Sequence, residues 1–121
     1  MRALVIDDNK CLQELFQLFL EKLGFQADKA PDGSVGFRMI KEADYDVIIS
    51  DMNMPNVNGM EFYQLIATNL PHLTKRIVFA TGNSFDDEHN KFFQAVSCPV
   101  LFKPVSLAVL KDTIQSLPGK C

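Results

Sequence analysis

The sequence lacks long apolar segments, and it contains few cysteines. No run reaches the roughly 18 apolar residues that a membrane-spanning helix needs, and the first residues lack the apolar stretch of a signal peptide. The cysteines are Cys11, Cys98 and Cys121, an odd number without Cys-x-x-Cys spacing. That pattern argues against a disulfide framework or a structural zinc site. We therefore expect no membrane insertion and a reducing, cytoplasmic location.

Tryptophan is absent, and the chain has no excess of basic residues. The net charge of −3 gives no basic excess, so we expect no direct binding of nucleic acid. The chain has 121 residues, of which 47% are hydrophobic and 22% charged, and its ten phenylalanines are expected mainly in the core. These values fit one domain with one core. We expect residues 1–121 to form it, with residues 118–121 as a tail or the start of a linker.

Short apolar runs alternate with amphipathic segments along the chain. The predicted strands span residues 2–6, 25–30, 46–50, 76–80 and 99–102. The predicted helices run from a cap at Asp8 or Asn9 to Gly24, over 34–43 after a turn at 31–33, over 60–69, from Ser84 through Val96, and over 106–117. In the first helix, apolar residues recur at spacings of three and four. This alternation predicts an α/β fold, a parallel sheet with helices on both faces.

Polar residues follow four of these strands. Asp7 and Asp8 follow the first strand, Asp51 the third, Thr81 the fourth and Lys103 the fifth. Ligand sites in open α/β sheets lie beyond the carboxyl ends of the strands, so these side chains should converge. Three carboxylates, a hydroxyl and an amine suit a hard divalent cation and a phosphoryl group.

Each of these residues also has a purely structural interpretation. Asp7-Asp8 could be a helix cap, Asp51 a solvated loop acid, Thr81-Gly82 a turn, and Lys103-Pro104 a surface lysine before a helix. The joint pattern favours the functional interpretation, because all four sit at strand ends in the order that one topology requires.

Asp51 is the expected phosphoryl acceptor. A carboxylate at a strand end, followed by a flexible loop, is accessible and can form an acyl phosphate. Mg²⁺ would offset the phosphoryl charge, with Asp8 and Asp51 as direct ligands and Asp7 either binding through water or tuning the site. Lys103 would neutralise one phosphoryl oxygen, and Thr81 would donate its hydroxyl to another.

Taken together, the motifs resemble the receiver domain of two-component response regulators over essentially the whole chain. The matching residues are Asp7-Asp8-Asn9, 51–59, Thr81-Gly82 and Lys103-Pro104. The resemblance implies a doubly wound, flavodoxin-like sheet with strand order 2-1-3-4-5 and a cis Lys103–Pro104 peptide. It also implies phosphorylation of Asp51 from a phosphohistidine on a histidine kinase or histidine phosphotransfer domain.

The resemblance extends to the metal site and to the switch. It implies Mg²⁺ bound by Asp8, Asp51 and the backbone carbonyl of Asn53, with Asp7 nearby. It implies slow self-dephosphorylation, tuned by Asn53 and Asn83. It makes Thr81 the switch hydroxyl, with repacking of the face formed by the fourth helix, fifth strand and fifth helix.

One position departs from the family pattern. Many receivers carry Tyr or Phe three residues before the lysine, where this chain has Val100. We expect Phe102 to point to the other side of the strand and to be a weak substitute. The segment from Ser97 to Pro104 is more similar to receivers of hybrid sensor kinases than to transcriptional regulators. A fused kinase or output domain, a stand-alone relay domain and a homodimer all stay open.

Two other functions compete with a signalling receiver. A degenerate receiver would act as a phosphorylation-independent interaction module, but the complete set of site residues counts against it. An aspartate-nucleophile phosphatase would need an Asp-x-Asp pair after the first strand. Here the acids Asp7 and Asp8 are adjacent, and the proposed nucleophile follows the third strand.

Overall fold

The computed structural model describes residues 1–52, 57–82, 87–96 and 98–117, with only the backbone described for 87–90. The strands are β1 Arg2–Ile6, β2 Gln26–Ala30, β3 Val47–Asp51, β4 Ile77–Thr81 and β5 Val100–Phe102. The helices are α1 Lys10–Lys22, α2 Gly33–Glu42, α3 Gly59–Asn69, a 3₁₀ helix Pro71–Arg76, α4 Asp87–Ala95 and α5 Leu107–Gln115. No helix in the described ranges is long and apolar enough to cross a membrane.

The strands form one parallel sheet in the order β2-β1-β3-β4-β5. This confirms both the predicted fold class and the strand order. In the register, Ile6 pairs with Ser50, Asp51 with Ala80, and Thr81 with Phe102. The carboxyl ends of β1, β3, β4 and β5 therefore lie at one edge of the sheet.

Helices cover both faces of the sheet, as predicted, because successive strand side chains alternate between two apolar clusters. Ala3 and Val5 of β1 pack with Phe16 and Leu20 of α1 and with residues of α5. Leu4 and Ile6 pack on the other face, in a cluster with residues of α2 and α3. Both faces are thus buried, which explains why β1, β3 and β4 are apolar without alternation.

Side-chain caps set the helix starts that the sequence indicates. The Asn9 side chain accepts from the Leu12 N–H at 3.2 Å and begins α1. Asp32 and Ser106 cap α2 and α5 in the same way, and Asn58 forms a capping box at α3. Each such cap contributes about 1 kcal/mol to helix stability. The predicted cap Ser84 of the fourth helix lies outside the described residues.

Strand ends differ from the prediction by one residue where the site lies. β3 and β4 extend through Asp51 and Thr81, although the apolar runs of the sequence predict strands that end one residue earlier. The reason is that the ladder continues: Asp51 pairs with Ala80, and the Met52 N–H donates to the Ala80 carbonyl at 3.2 Å. Both polar residues are therefore held by the sheet itself.

A polar network ties the amino end of β1 to its neighbours. The Asp28 carboxylate accepts from the Arg2 guanidinium at 2.8 Å and from the Tyr45 hydroxyl at 2.7 Å. The Tyr45 hydroxyl, and after it Arg2, lowers the pKa of Asp28 below its usual value. Burial, with Asp28 as second cause, raises the pKa of Tyr45 to about 12.

Candidate functional site

Three carboxylates meet at the carboxyl edge of the sheet, as the sequence predicts. One carboxylate oxygen from each of Asp7, Asp8 and Asp51 lies within 4.8 Å of the others. Asp7 is 2% exposed and Asp51 6% exposed, whereas Asp8 is exposed. Asp8 is thus the most exposed of the three acids, whereas Asp51 is less accessible than the sequence predicts, because it is the last residue of β3 and its carboxylate contacts the Lys103 amine.

Lys103 bridges the two buried acids. Its Nζ lies 3.0 Å from Asp7 Oδ2 and 3.2 Å from Asp51 Oδ1. The backbone N–H of Lys103 donates to the Thr81 carbonyl at 2.9 Å, which joins β5 to β4 at the site. The Lys103–Pro104 peptide is cis, as the family resemblance implies. One ammonium facing three carboxylates leaves an excess of negative charge at this edge.

Asp7 is held through its backbone as well as its side chain. Its N–H donates to the Ala30 carbonyl at 3.1 Å, and its Oδ1 accepts from the Asn9 N–H at 2.9 Å. The Gln13 amide donates to the Asp7 carbonyl and, at 3.5 Å, to the Ala30 carbonyl. Sequence reasoning missed Gln13. The sequence signal for Gln13 was its spacing in α1. It lies three residues before Phe16 and seven before Leu20, on the buried face of the helix, although it is polar.

The end of β3 is fixed by a close approach of α3. The Gly59 N–H donates to the Met52 carbonyl at 3.1 Å. A Cβ at Gly59 would lie 2.7 Å from the Asp51 carbonyl oxygen and 2.9 Å from the Met52 Cα. Only glycine fits there without a shift of the backbone that carries Asp51.

Three further residues were predicted for the site, and the structure describes one of them, Thr81. Thr81 is 1% exposed and ends β4, beside Asp51 at the end of β3. Asn53 and Asn83 lie outside the described residues. Asp7, Asp8, Asp51, Thr81 and Lys103 are thus all positioned at one edge.

The expectation for Phe102 was wrong. Leu101 belongs to the cluster on the α1 and α5 face, whereas Val100 packs against the opposite cluster. Because side chains alternate along a strand, Phe102 lies on the same side as Val100. The Phe102 side chain is 52% exposed, so an aromatic ring is present on this side but two residues later than in many receivers.

The donor set fits a hard divalent cation. Carboxylate oxygens are the ligands that Mg²⁺ takes from proteins, usually one or two per ion. Both Asp7 oxygens already accept, from Asn9 and Lys103. Asp7 is therefore better suited to contact through water, and the exposed Asp8 is a better candidate for direct contact.

Comparison with known proteins identifies relatives over most of the chain. The family model of the response regulator receiver domain matches residues 3–115. The transcriptional regulatory protein QseB of Haemophilus influenzae is 32% identical over 97% of this chain and 52% of its own length. Sensor histidine kinase RcsC of Salmonella typhimurium is 33% identical over 94% of this chain and 12% of its own length. The chain thus spans only part of these curated relatives.

Solved structures share the fold. The chemotaxis protein CheY4 of Vibrio cholerae has a TM-score of 0.85 at 27% identity, covering 96% of this chain and 97% of its own. The receiver domain of sensor histidine kinase PA1611 of Pseudomonas aeruginosa has a TM-score of 0.87 at 24% identity, covering 98% of both chains. That structure is described with a magnesium ion coordinated in its active site cleft.

Proposed function

Because this chain belongs to the response regulator receiver domains of two-component systems, we propose that it is a phosphorylation switch with Asp51 as acceptor. One observation carries the proposal. The Lys103 amine bridges Asp7 and Asp51 at 3.0 and 3.2 Å, inside a cluster of three carboxylates. This arrangement concentrates an acceptor carboxylate, cation ligands and a positive charge for phosphoryl oxygens at one point.

In the proposed reaction, an Asp51 carboxylate oxygen attacks the phosphorus of a phosphohistidine. A P–O bond forms as the P–N bond breaks, and the departing imidazole nitrogen takes a proton from water. Attack of water on the acyl phosphate later releases inorganic phosphate and restores the carboxylate. The chain would thus catalyse its own phosphorylation and a slow dephosphorylation, while serving mainly as a switch.

Mg²⁺ is the proposed cofactor. Asp8, Asp51 and the backbone carbonyl of Asn53 would be its protein ligands, with Asp7 contributing through water. When bound, Mg²⁺ would offset the charge on the phosphoryl oxygens. The support from this chain is the acidic cluster, together with the excess of negative charge that Lys103 leaves there.

Thr81 and Lys103 are the proposed contacts to the phosphoryl oxygens. Thr81 pairs in register with Phe102, and its carbonyl accepts from the Lys103 N–H. A movement of Thr81 toward a phosphoryl group would therefore shift the backbone of β5, which is hydrogen-bonded to it. The surface of α4, β5 and α5 is the proposed output face, and with Val100 at the usual aromatic position the switch would depend on Thr81.

The proposed donor is a histidine kinase or a histidine phosphotransfer domain. QseB and RcsC contain matched regions that make up only part of each protein, so a fused kinase or output domain is compatible with this chain. We propose that residues 1–121 form one receiver domain in the cytoplasm, with residues 118–121 as tail or linker. We propose no direct contact with nucleic acid.

The test is the intact mass after incubation with acetyl phosphate and Mg²⁺. The native chain should gain one phosphoryl group, and Asp51→Asn none. Asp112→Asn is the matched control, because Asp112 is an exposed acid on α5. It should be labelled like the native chain.

Three outcomes would contradict the proposal. Labelled Asp51→Asn would exclude Asp51 as the acceptor. A folded native chain that takes up no phosphoryl group would favour a phosphorylation-independent interaction module. Steady release of phosphate from phosphate esters would instead indicate a phosphatase.

A further inference from the structure

A buried amide contacts the site from α1. Gln13 is 8% exposed and lies on the face of α1 that otherwise buries Phe16 and Leu20. Burying an amide in an apolar cluster costs free energy unless it is hydrogen-bonded, so an apolar side chain would serve packing alone better. Gln13 instead donates to two backbone carbonyls, those of Asp7 and Ala30.

These contacts hold the peptide that joins the two acids after β1. The Asp7 N–H is fixed by the Ala30 carbonyl at 3.1 Å, and the Asp7 carbonyl is fixed by Gln13. Since a peptide group is planar, the direction of the Asp7 carbonyl also sets the positions of the Asp8 nitrogen and Cα, and with them the place from which the Asp8 side chain starts. The Asp8 carboxylate is exposed, yet it must point into the cluster to bind a cation.

We propose that Gln13 is a positioning residue for cation binding. It acts by orienting the peptide that joins Asp7 and Asp8. The inference rests on the proposed function, because the cation would serve phosphorylation of Asp51. The quantity that it predicts, the affinity of the chain for a divalent cation, can be measured without phosphorylation. Groups that orient metal ligands typically contribute about 10- to 100-fold to metal affinity.

The chain supplies a matched control one turn later on α1. The Gln17 amide donates to the Ala27 carbonyl of β2 at 3.1 Å. Gln13→Met and Gln17→Met each replace an amide that bonds a strand carbonyl with an apolar side chain of similar length. Of these two glutamines, Gln13 donates to Asp7 and Gln17 donates to Ala27. A general loss of α1 docking would therefore weaken cation binding in both variants, whereas a positioning effect would weaken it in Gln13→Met alone.

The measurement is the dissociation constant for Mn²⁺ by electron paramagnetic resonance, with Mg²⁺ as competitor and circular dichroism as a check of folding. Gln13→Met should bind about tenfold more weakly than the native chain, and Gln17→Met within about twofold of it. Equal affinities for Gln13→Met and the native chain, or equal losses in both variants, would overturn the inference.

Gln13→Glu tests the inference if Gln13→Met fails to fold. This substitution keeps the shape of the side chain, adds negative charge near the cluster and places a carboxylate against the two carbonyls. Simple electrostatics would then increase cation affinity, whereas loss of positioning would decrease it. Weaker binding supports the inference, and equal or tighter binding overturns it.

Phosphorylation by acetyl phosphate separates this inference from the proposed function. Gln13→Met should be labelled more slowly than the native chain at low Mg²⁺ and at a similar rate at saturating Mg²⁺. A folded native chain that is never labelled, but whose variants show the stated Mn²⁺ affinities, would contradict only the proposed function. Normal labelling of the native chain with unchanged affinity in Gln13→Met would contradict only the positioning role.

Discussion

Removing the Lys103 charge should destabilise the chain strongly in the absence of divalent cations. Lys103→Met keeps most of the apolar stem but leaves the buried acids Asp7 and Asp51 facing each other without the ammonium group. Two unit charges within 4.8 Å of each other repel by about 3.5 kcal/mol or more at an effective dielectric constant of about 20. Breaking buried ion pairs typically costs about 3–5 kcal/mol. We therefore expect a loss of about 3 kcal/mol.

Divalent cations should recover part of that loss. A ligand that binds only the folded state stabilises it by about 1.4 kcal/mol at ten times its dissociation constant. Without the Lys103 ammonium, the acids should bind Mg²⁺ more tightly than in the native chain, so at one Mg²⁺ concentration the variant gains more stability than the native chain and the difference between them shrinks. Phosphorylation, in contrast, should be impaired, because no amine remains to contact the phosphoryl oxygens.

Urea unfolding followed by far-ultraviolet circular dichroism is the appropriate assay, since the chain has no tryptophan. It should be run in a chelator and again in excess Mg²⁺. Lys111→Met, at an exposed lysine of α5, is the control and should change stability by no more than about 0.5 kcal/mol. An equal loss for Lys103→Met in chelator and in Mg²⁺, or no loss in either, would refute the reasoning.

Two further predictions concern the scaffold that carries the site. A Cβ at Gly36 would lie 2.5 Å from the Ile6 Cδ1 in the core, so the free energy of unfolding of Gly36→Ala in urea should fall by about 1–3 kcal/mol. Adding Ile6→Val, which removes that Cδ1, should recover part of the loss. An unchanged midpoint would contradict the close packing of α2 on β1. Asp28→Asn should be less stable than the native chain at neutral pH. The pKa of Asp28 is lowered in the folded state by Tyr45 and then Arg2. The contribution of Asp28 to the free energy of unfolding is therefore fully present above its pKa in the unfolded chain, about 4, and is lost as the pH falls through its pKa in the folded chain. The difference in unfolding free energy between the two chains should therefore shrink in acid, and a difference independent of pH would contradict this account.

The topology and the acceptor edge were predictable because they depend on local patterns. Apolar runs without alternation indicate strands buried on both faces, and the intervening amphipathic segments require crossover helices. Once the strands are parallel, Asp7, Asp51 and Lys103 must emerge at the same edge. The caps Asn9 and Ser106 likewise act within a few residues, so the starts of α1 and α5 are readable from the sequence.

The features that escaped prediction differ in origin, and only one of them depends on a contact between distant segments. The 3₁₀ helix Pro71–Arg76 was not expected, because its first residue, Pro71, reads only as the end of α3. The role of Gln13 requires knowing that α1 packs beside the end of β2, where Ala30 lies. The side of Phe102 follows from the alternation of side chains along β5, which places Phe102 on the same side as Val100, so the expectation conflicted with a local rule.

The central claim is that Asp51 carries the phosphoryl group, and the most direct test is to locate that group. Borohydride reduces an acyl phosphate to the alcohol, so a phosphorylated aspartate becomes homoserine and can be read by peptide sequencing in a mass spectrometer. After labelling by acetyl phosphate and Mg²⁺, the account predicts homoserine at position 51 and aspartate at positions 7 and 8. Homoserine at position 7 or 8, or a labelled chain with aspartate at position 51, would contradict it.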